Sequence, residues 1–395
     1  MAEPISAASA VPSAPAPFYT PEHERLRQVV RGYVEREVAP NLDRWERQRL
    51  VDREAWRAAG RLGLLGARVP PAYGGPGIAD YRVRCVIADE MARAGAAAPA
   101  LGFALNDDIV LPYLLRLGTE EQKRRWLPGF VTGETISAIA MTEPGAGSDL
   151  RGMRAVAVRR GDGWVLNGAK TFITNGILAD LVIVAAQTRV GDADRGISLF
   201  VVEDGTPGFT RGRKLDKLGL HAQDTAELFF DDVRLPDGNL LGGVGEGLRH
   251  LIANLPSERL SIAYYGLAAA EAALDWTLAH ARERTLSGVP MLDHQAVRFR
   301  LAELVTEVEV TRAYLERLVL RYNAGELDVV DAAKAKWWAT ETQRRVLDAC
   351  LRLLDGEGVL LGRPLTRAFL DARVQPIYGG TTEIMKEIIG RSLRS

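Results

Sequence analysis

The 395-residue sequence predicts an α+β protein in which a middle antiparallel β domain lies between two helical domains. Apolar residues recur at spacings of three and four up to about Glu134, hairpin signals follow to about residue 240, and long Ala- and Leu-rich helical patterns fill the rest. One hydrophobic core rarely exceeds about 250–300 residues, so we expect several domains. The predicted limits are 1–17 for a disordered tail and 18–135, 136–240 and 241–395 for the three domains.

The N-terminal region begins with a stretch composed almost entirely of Ala, Pro and Ser, which predicts a disordered tail. It lacks the charged start and apolar run of a secretory signal, and no Arg or Lys precedes Arg25, which is a poor match to a transit peptide. A helix is expected from Glu22 to the residues before Pro40. Further helices are predicted at 52–63, 79–94 and 97–117, and after a capping box at Thr119–Gln122.

The middle region changes to strand patterns. A turn is predicted at Gly161–Gly163, and Asn167-Gly168 is a hairpin signal. Strands are expected at 155–158, 164–166, 179–188, 197–204 and 226–233. Long helices then return, including 258–284 and 328–354.

The composition excludes several classes of protein. Fifty basic and 51 acidic residues give a formal charge of −1, which argues against a nucleic-acid partner. The two cysteines, Cys85 and Cys350, cannot form a disulfide framework, and we expect them to be reduced in a cytoplasmic protein. The five histidines lack metal-ligand spacing, so no metal is expected. No apolar run approaches the roughly 20 residues of a membrane span.

Two glycine-containing segments resemble nucleotide-binding motifs but fail on spacing or context. In Gly163–Thr171 an extra Ala moves Lys170 off the position that a phosphate-binding P-loop requires. Gly356-Glu-Gly358 follows a predicted helix rather than a strand, so it is not a dinucleotide fingerprint. No G-x-S-x-G nucleophile motif is present.

Two segments of the β domain carry groups suited to a flat polar cofactor. Met141–Asp149 offers the hydroxyls of Thr142 and Ser148 beside glycines that leave backbone N–H groups uncovered. Thr171–Gly176 adds an aromatic ring at Phe172 and a further hydroxyl. Taken alone, the first segment is equally typical of a plain Gly/Pro turn, and Phe172 of core packing.

Together these segments resemble the acyl-CoA dehydrogenase flavoprotein family, and within it the long-chain members. The resemblance extends from about residue 20 to the end, and it is most dense in 212–236 and 371–389. Further matching motifs are Asn167–Lys170, Lys217–Gly219, Ala226–Val233 and Arg373–Thr381.

The resemblance implies three domains ending in a four-helix bundle, FAD between the β domain and the C-terminal helices, and α,β-dehydrogenation of an acyl-CoA thioester to the trans-2-enoyl product. Electrons would pass to an electron-transferring flavoprotein, and the assembly would be a homotetramer. The implied cofactor-binding residues are Ile139, Met141, Thr142, Ser148, Phe172, Ile173, Thr174, Arg284, Gln295, Arg352, Gly356, Thr381 and Glu383. The implied substrate-binding residues are Ser148, Ser257, Arg259, Tyr378, Gly379 and Gly380.

The catalytic base is expected at an unusual position. Desaturation needs a base for the α-proton, donors that polarise the thioester carbonyl, and a flavin to take the hydride, because no side chain accepts one. In short- and medium-chain relatives the glutamate precedes Gly-Thr, where this chain has Gly379. Long-chain and isovaleryl relatives place it in a Glu-Arg-Leu segment, which here assigns the base to Glu258. The alternative is that Glu258 is a helix N-terminal carboxylate favoured by the helix dipole.

Departures from the family pattern leave other functions open. Asp355 and Glu357 bring negative charge to a segment that normally contacts a neighbouring subunit's cofactor, and Arg352 could offset one of them. The assembly could therefore be weaker. Two alternative functions remain: a dehydrogenase of a carrier-protein-bound or biosynthetic acyl thioester, and a non-catalytic flavin-binding assembly protein.

Overall fold

The computed structural model describes residues 17–394. Apart from Pro17, the predicted tail lies outside the described residues. The α+β order of helical, β and helical regions is confirmed. The exact domain limits stay a prediction.

The N-terminal region is helical, as predicted. The predicted stop at Pro40 is confirmed, because α1 continues as a π-helical segment that ends at Val38. The capping box at Thr119 is also confirmed: its hydroxyl accepts the Gln122 N–H, and the Gln122 side chain accepts the Thr119 N–H. The helices are α1 (Pro21–Tyr33), α2 (Leu42–Gln48), α3 (Arg53–Arg61), α4 (Arg82–Arg93), α5 (Ala97–Ala104), α6 (Leu111–Leu117) and α7 (Glu120–Thr132), with a π-helical segment (Leu105–Val110) joining α5 to α6.

The middle region forms one eight-stranded sheet, with strands in the order β6-β7-β3-β2-β4-β5-β8 and β1 beside β4. Its strands are β1 (Ser137–Ala140), β2 (Val156–Arg160), β3 (Gly163–Thr174), β4 (Leu181–Val190), β5 (Ala193–Glu203), β6 (Phe209–Lys214), β7 (Thr225–Pro236) and β8 (Leu240–Leu241).

The sheet is antiparallel in most of its pairings, as predicted, but two of its pairings are parallel. β1 and β2 both pair with β4 in parallel, β1 along its first half and β2 along its second. Hairpin signals report only strands that are neighbours in sequence, whereas parallel pairing needs a long crossover and leaves no local turn motif. The continuous apolar run of β4, buried on both faces, is the sequence feature typical of such a strand.

The hairpin turn predicted at Asn167-Gly168 is wrong. Both residues lie within β3, which pairs with β7 through a bulge between Leu166 and Gly168. Gly168 has φ 143°, and a Cβ there would lie 2.6 Å from the Cβ of Ala155. The glycine therefore permits close strand approach rather than a chain reversal.

The C-terminal region contains three long helices and two shorter ones. Glu258 is the twelfth residue of the first of them, far from its N-terminus at Gly247, so the dipole explanation for this carboxylate is wrong. The elements are α8 (Gly247–Glu283), the strand pair β9 (Thr285–Leu286) and β10 (Val289–Pro290), α9 (Gln295–Asn323), α10 (Val329–Leu353), α11 (Pro364–Asp371) and α12 (Thr382–Ser392).

Successive side chains of β4 point to opposite faces of the sheet, and one of these faces packs against the N-terminal helices. Leu181 and Ile183 pack with apolar residues of α6 and α7, whereas Val182 and Val184 pack inside the β domain. Both cysteines are buried and free, consistent with the prediction. Among residues 17–394 no helix combines the length and apolarity that crossing a membrane requires.

Candidate active site

Glu258 is a buried carboxylate held by two donors on one of its oxygens. It lies in the middle of α8, where the Tyr113 hydroxyl donates to its Oε1 at 3.0 Å and the Asn254 amide donates to the same atom at 3.0 Å. No described residue donates a hydrogen bond to its Oε2. The carboxylate therefore keeps one oxygen available for a proton.

The environment of Glu258 suits a base. Burial raises the pKa of this carboxyl, while the two hydrogen bonds and the nearby cations Arg259 and Arg116 oppose that rise. Proton transfer is most efficient when the pKa of the base lies near the working pH, and a raised carboxyl pKa moves in that direction.

A glycine turn packs against α8 beside Arg259 and Ile262, which follow Glu258. Gly379 and Gly380 have φ values of 65° and 97°, which favour glycine. The Gly379 carbonyl accepts from Arg259 Nε at 3.4 Å, and the Gly380 carbonyl accepts from Lys336 Nζ at 2.7 Å. Burial and the charge of Arg259 lower the pKa of Lys336 to about 7. Two buried cations thus hold both carbonyls of the turn, while the N–H groups of residues 379–381 have no partner within the described chain.

A buried ion pair between Lys170 and Glu143 holds the loop that follows β1. Lys170 Nζ donates to Glu143 Oε1 at 2.9 Å and to the Met141 carbonyl at 3.1 Å, and its side chain is 0% exposed. Glu143 also accepts the N–H groups of Arg154 and Ala155. The lysine of the rejected P-loop pattern is therefore a structural support for this loop.

The exposed side chains of this loop and of the end of β3 fit a flat polar cofactor. The Thr171 N–H donates to the Thr142 carbonyl at 3.0 Å, which brings the loop and β3 together. Phe172 lies in a bulge with φ 58°, and it is 68% exposed, so the alternative that Phe172 packs in the core is wrong. The hydroxyls of Thr142, Ser148 and Thr174 make no hydrogen bond within the described residues. An exposed ring beside three unpartnered hydroxyls is an arrangement that an isoalloxazine ring would satisfy.

The buried ion pair gives a stability prediction. We expect Lys170→Met to lower the free energy of unfolding by about 3–5 kcal/mol and to reduce the flavin content, because Glu143 is left buried without its partner. Chemical denaturation and flavin absorbance measure the two effects. The matched control is Arg189→Met, whose exposed pair with Asp194 should contribute less than about 1 kcal/mol. Equal effects of the two substitutions would contradict this account.

A narrow, mostly apolar cavity is lined by Ser261 and Ile262, one helical turn after Glu258, and by Tyr378, which precedes the glycine turn. The space open to the centre of a water-sized sphere is about 40 Å³, and the surrounding empty space of about 700 Å³ includes open solvent. Its wall follows one side of α8 from Ser261 and Ile262 to Trp276, and α5 faces it from the other side. Ile262 and Trp276 are separated by about 21 Å along the helix at 1.5 Å per residue. The cavity is therefore long and thin rather than round.

The remaining predicted residues near this site differ in exposure. Ile139 and Ile173 are buried in the cores on either side of the sheet. Ser257 donates to the Asn254 carbonyl, and Tyr378 lines the cavity while its hydroxyl donates to Gln375. Thr381 caps α12 by accepting the Ile384 N–H, and Glu383 is exposed.

A second group of predicted cofactor residues lies on the surface and is not joined to the first by any described contact. It comprises Arg284, Gln295, Arg352 and Gly356, all exposed. Glu357 pairs with Arg363 at 3.2 Å rather than with Arg352, and compensation of Asp355 by Arg352 stays a prediction. The partner lies six residues further along because the chain turns through a 3₁₀ segment there.

Sequence reasoning missed four residues that support the site. Asn254 precedes Glu258 by one helical turn, so the spacing of four could have identified it. Tyr113, Lys170 and Lys336 leave no such signal, because each acts on a group far away in sequence.

Comparison with known proteins identifies the class of this site. Residues 20–134, 138–233 and 245–394 match the N-terminal, middle and C-terminal domains of acyl-CoA dehydrogenases. The mitochondrial long-chain specific acyl-CoA dehydrogenase of Rattus norvegicus is 45% identical over 380 residues, which cover 96% of this chain and 88% of the relative.

Solved structures of acyl-CoA dehydrogenases have the same fold as this chain. An acyl-CoA dehydrogenase from Geobacillus kaustophilus superimposes with a TM-score of 0.91 at 44% identity, covering 95% of this chain and 99% of that one. A glutaryl-CoA dehydrogenase from Mycobacterium smegmatis, in complex with FADH2, gives a TM-score of 0.89 at 30% identity and covers 95% of each chain. The chain belongs to the acyl-CoA dehydrogenase family. Members of this family are FAD-dependent oxidoreductases, so FAD is its cofactor.

Proposed function

We propose that this acyl-CoA dehydrogenase converts a long-chain acyl-CoA to its trans-2-enoyl thioester, with Glu258 as the base that takes the α-proton. The observation that carries the proposal is the free Oε2 of a buried glutamate on α8, one helical turn before Ser261 and Ile262, which line a long apolar cavity. FAD, when bound, supplies the hydride acceptor that the reaction needs.

The chain's own residues supply the proton transfer and the polarisation. Glu258 Oε2 accepts the α-proton, and the Gly379 N–H donates to the thioester carbonyl, which makes that proton more acidic. Arg259 and Lys336 keep the turn in place by binding its two carbonyls. The mostly apolar walls lower the local dielectric constant and so strengthen these interactions.

The β domain would hold the cofactor ring. Thr142 and Thr174 would donate or accept hydrogen bonds at its polar edge, Phe172 would pack against its face, and Ser148 would lie between cofactor and thioester. The support is the exposed ring and the unpartnered hydroxyls described above. Exposed Arg284, Gln295, Arg352 and Gly356 would contact the cofactor of a neighbouring subunit.

The length of the cavity supports a long acyl chain. An extended acyl chain advances by about 1.25 Å per C–C bond, so about 21 Å corresponds to about seventeen bonds. Six of its seventeen lining residues are Ala, and most of its lining surface is apolar, which suits methylene groups. Burial of each methylene group stabilises the complex by about 0.8 kcal/mol.

We also propose the partners and assembly. Electrons would leave through an electron-transferring flavoprotein. A homotetramer is supported by an exposed groove between α9 and α10, where Phe299 and Val310 are each 61% exposed beside Trp338. Apolar side chains in such a patch are typical of a surface that another subunit covers. The cytoplasmic location stays a prediction.

A substrate panel tests the proposed function. The purified FAD-bound protein is mixed with butyryl-, octanoyl- and palmitoyl-CoA, and with palmitoyl carrier protein, in the presence of a dye acceptor. We expect palmitoyl-CoA to give the highest kcat/KM, because it fills the cavity. Turnover of the carrier-protein thioester alone would favour the biosynthetic alternative. A yellow protein that reduces dye with none of them would favour the non-catalytic alternative.

A further inference from the structure

Glu258 is held asymmetrically, and the asymmetry involves a residue from a distant part of the chain. Tyr113 lies on α6, in the N-terminal helical region, and is fully buried. Its hydroxyl reaches across to α8 and donates to Glu258 Oε1 at 3.0 Å. Asn254 donates to the same oxygen and also contacts the Ile109 carbonyl, which fixes the amide's orientation.

We propose that Tyr113, together with Asn254, is a positioning residue that fixes which oxygen of Glu258 takes the α-proton. The inference rests on the proposed role of Glu258. Two donors on Oε1 stabilise negative charge on that atom, and they leave Oε2 as the oxygen that can be protonated without loss of a hydrogen bond. The α-proton therefore has a single acceptor atom in a defined orientation.

A tyrosine is suited to this task. Its hydroxyl can donate to the carboxylate, and burial keeps the pKa of Tyr113 well above its ordinary value, so it remains protonated. The rigid ring places the hydroxyl with only two side-chain torsions, which a longer flexible donor would not do. Ile109 lines the cavity as well as contacting Asn254, so the donor pair is anchored to the cavity wall itself.

The pH dependence follows from the charges around Glu258. Arg116 on α6 and Arg259 on α8 favour its ionised form, and both stay in place when Tyr113 is changed. Tyr113→Phe removes a donor that favours the ionised carboxylate, so the pKa of Glu258 rises further. Activity is present above this pKa and is lost below it. The acidic limb of the kcat/KM profile should therefore shift to higher pH, by about one unit for one hydrogen bond to a charged group.

The experiment compares Tyr113→Phe with Tyr33→Phe. Tyr33 is also buried, and its hydroxyl donates at 3.0 Å to the Ala55 carbonyl, so the same atom is removed without touching the site. We expect the acidic limb to move for Tyr113→Phe and to stay in place for Tyr33→Phe. Both variants should keep stoichiometric FAD. An unchanged limb in FAD-bound Tyr113→Phe would overturn the proposal.

A second readout does not depend on turnover. The carboxyl infrared band of Glu258, isolated by subtracting the spectrum of Glu258→Gln, is titrated in the absence of substrate. Its midpoint should rise in Tyr113→Phe, and in Asn254→Ala, which tests the same claim if Tyr113→Phe does not fold. If Glu258→Gln keeps full activity, the proposed base is wrong. If it is inactive while neither donor variant shifts the midpoint, only the present inference is wrong.

Discussion

Ala269→Phe should convert the enzyme to a short-chain specificity. Ala269 lines the cavity about 10 Å along α8 from Ile262, roughly half of the available length. Blocking the distal half removes burial for about seven methylene groups, or about 6 kcal/mol at most. The acyl chain can bend within the remaining space and so recover part of this burial. We therefore expect kcat/KM for palmitoyl-CoA to fall by about 10²–10³-fold.

Butyryl-CoA is the internal control for this variant, because its acyl chain ends before the obstruction. Its kcat/KM should change by less than about threefold, which also shows that the protein is folded and holds FAD. The measurement is dye reduction with both substrates in the same preparation. A parallel loss with both, or none with palmitoyl-CoA, would mean that the acyl chain lies elsewhere.

Glu258→Gln should reduce turnover by about 10⁴-fold or more, because no other acceptor for the α-proton lies at this position. The amide oxygen of Gln can still accept from Tyr113 and Asn254, so the fold and FAD content should be retained. Steady-state dye reduction and flavin absorbance measure the two quantities.

Moving the carboxylate to residue 379 sharpens this test. A Cβ at Gly379 would lie 2.3 Å from Ile262 Cδ1, so Gly379→Glu needs Ile262→Val to remove that atom. The positive φ of 65° costs a further 1–2 kcal/mol or so for a non-glycine residue. We expect the triple variant with Glu258→Gln to recover part of the lost activity. Recovery would show that the cavity accepts a base from either side of the α-carbon.

The sequence predicted features that short segments determine. The helical, β and helical order followed from local periodicity, whereas the assignment of the base to Glu258 rests on the resemblance of its Glu-Arg-Leu segment to long-chain relatives and stays a prediction. Asn254 could have been added from its spacing. By contrast, Tyr113 is separated from Glu258 by 145 residues and Lys336 from Gly380 by 44, so their contacts exist only after the domains pack.

Contacts between residues far apart in sequence also explain why the parallel pairing and the role of Asn167-Gly168 in the β domain were not predicted. The parallel pairing of β1 with β4 joins segments separated by two intervening strands, and no turn signal marks it. Asn167-Gly168 is a favourable hairpin pair locally, yet the glycine is used for close approach to Ala155. The cavity is likewise assembled from α4, α5, α8, α10 and α11, so its length could not be inferred before the fold was known.

Anaerobic mixing with palmitoyl-CoA tests the central claim most directly, because a single turnover bleaches the flavin without any external acceptor. Wild-type protein and Glu258→Gln are compared at equal FAD content, with bleaching followed by stopped-flow absorbance. We expect rapid bleaching in the wild type and a rate at least about 10⁴-fold slower in the variant. Equal bleaching rates would show that Glu258 does not take the α-proton.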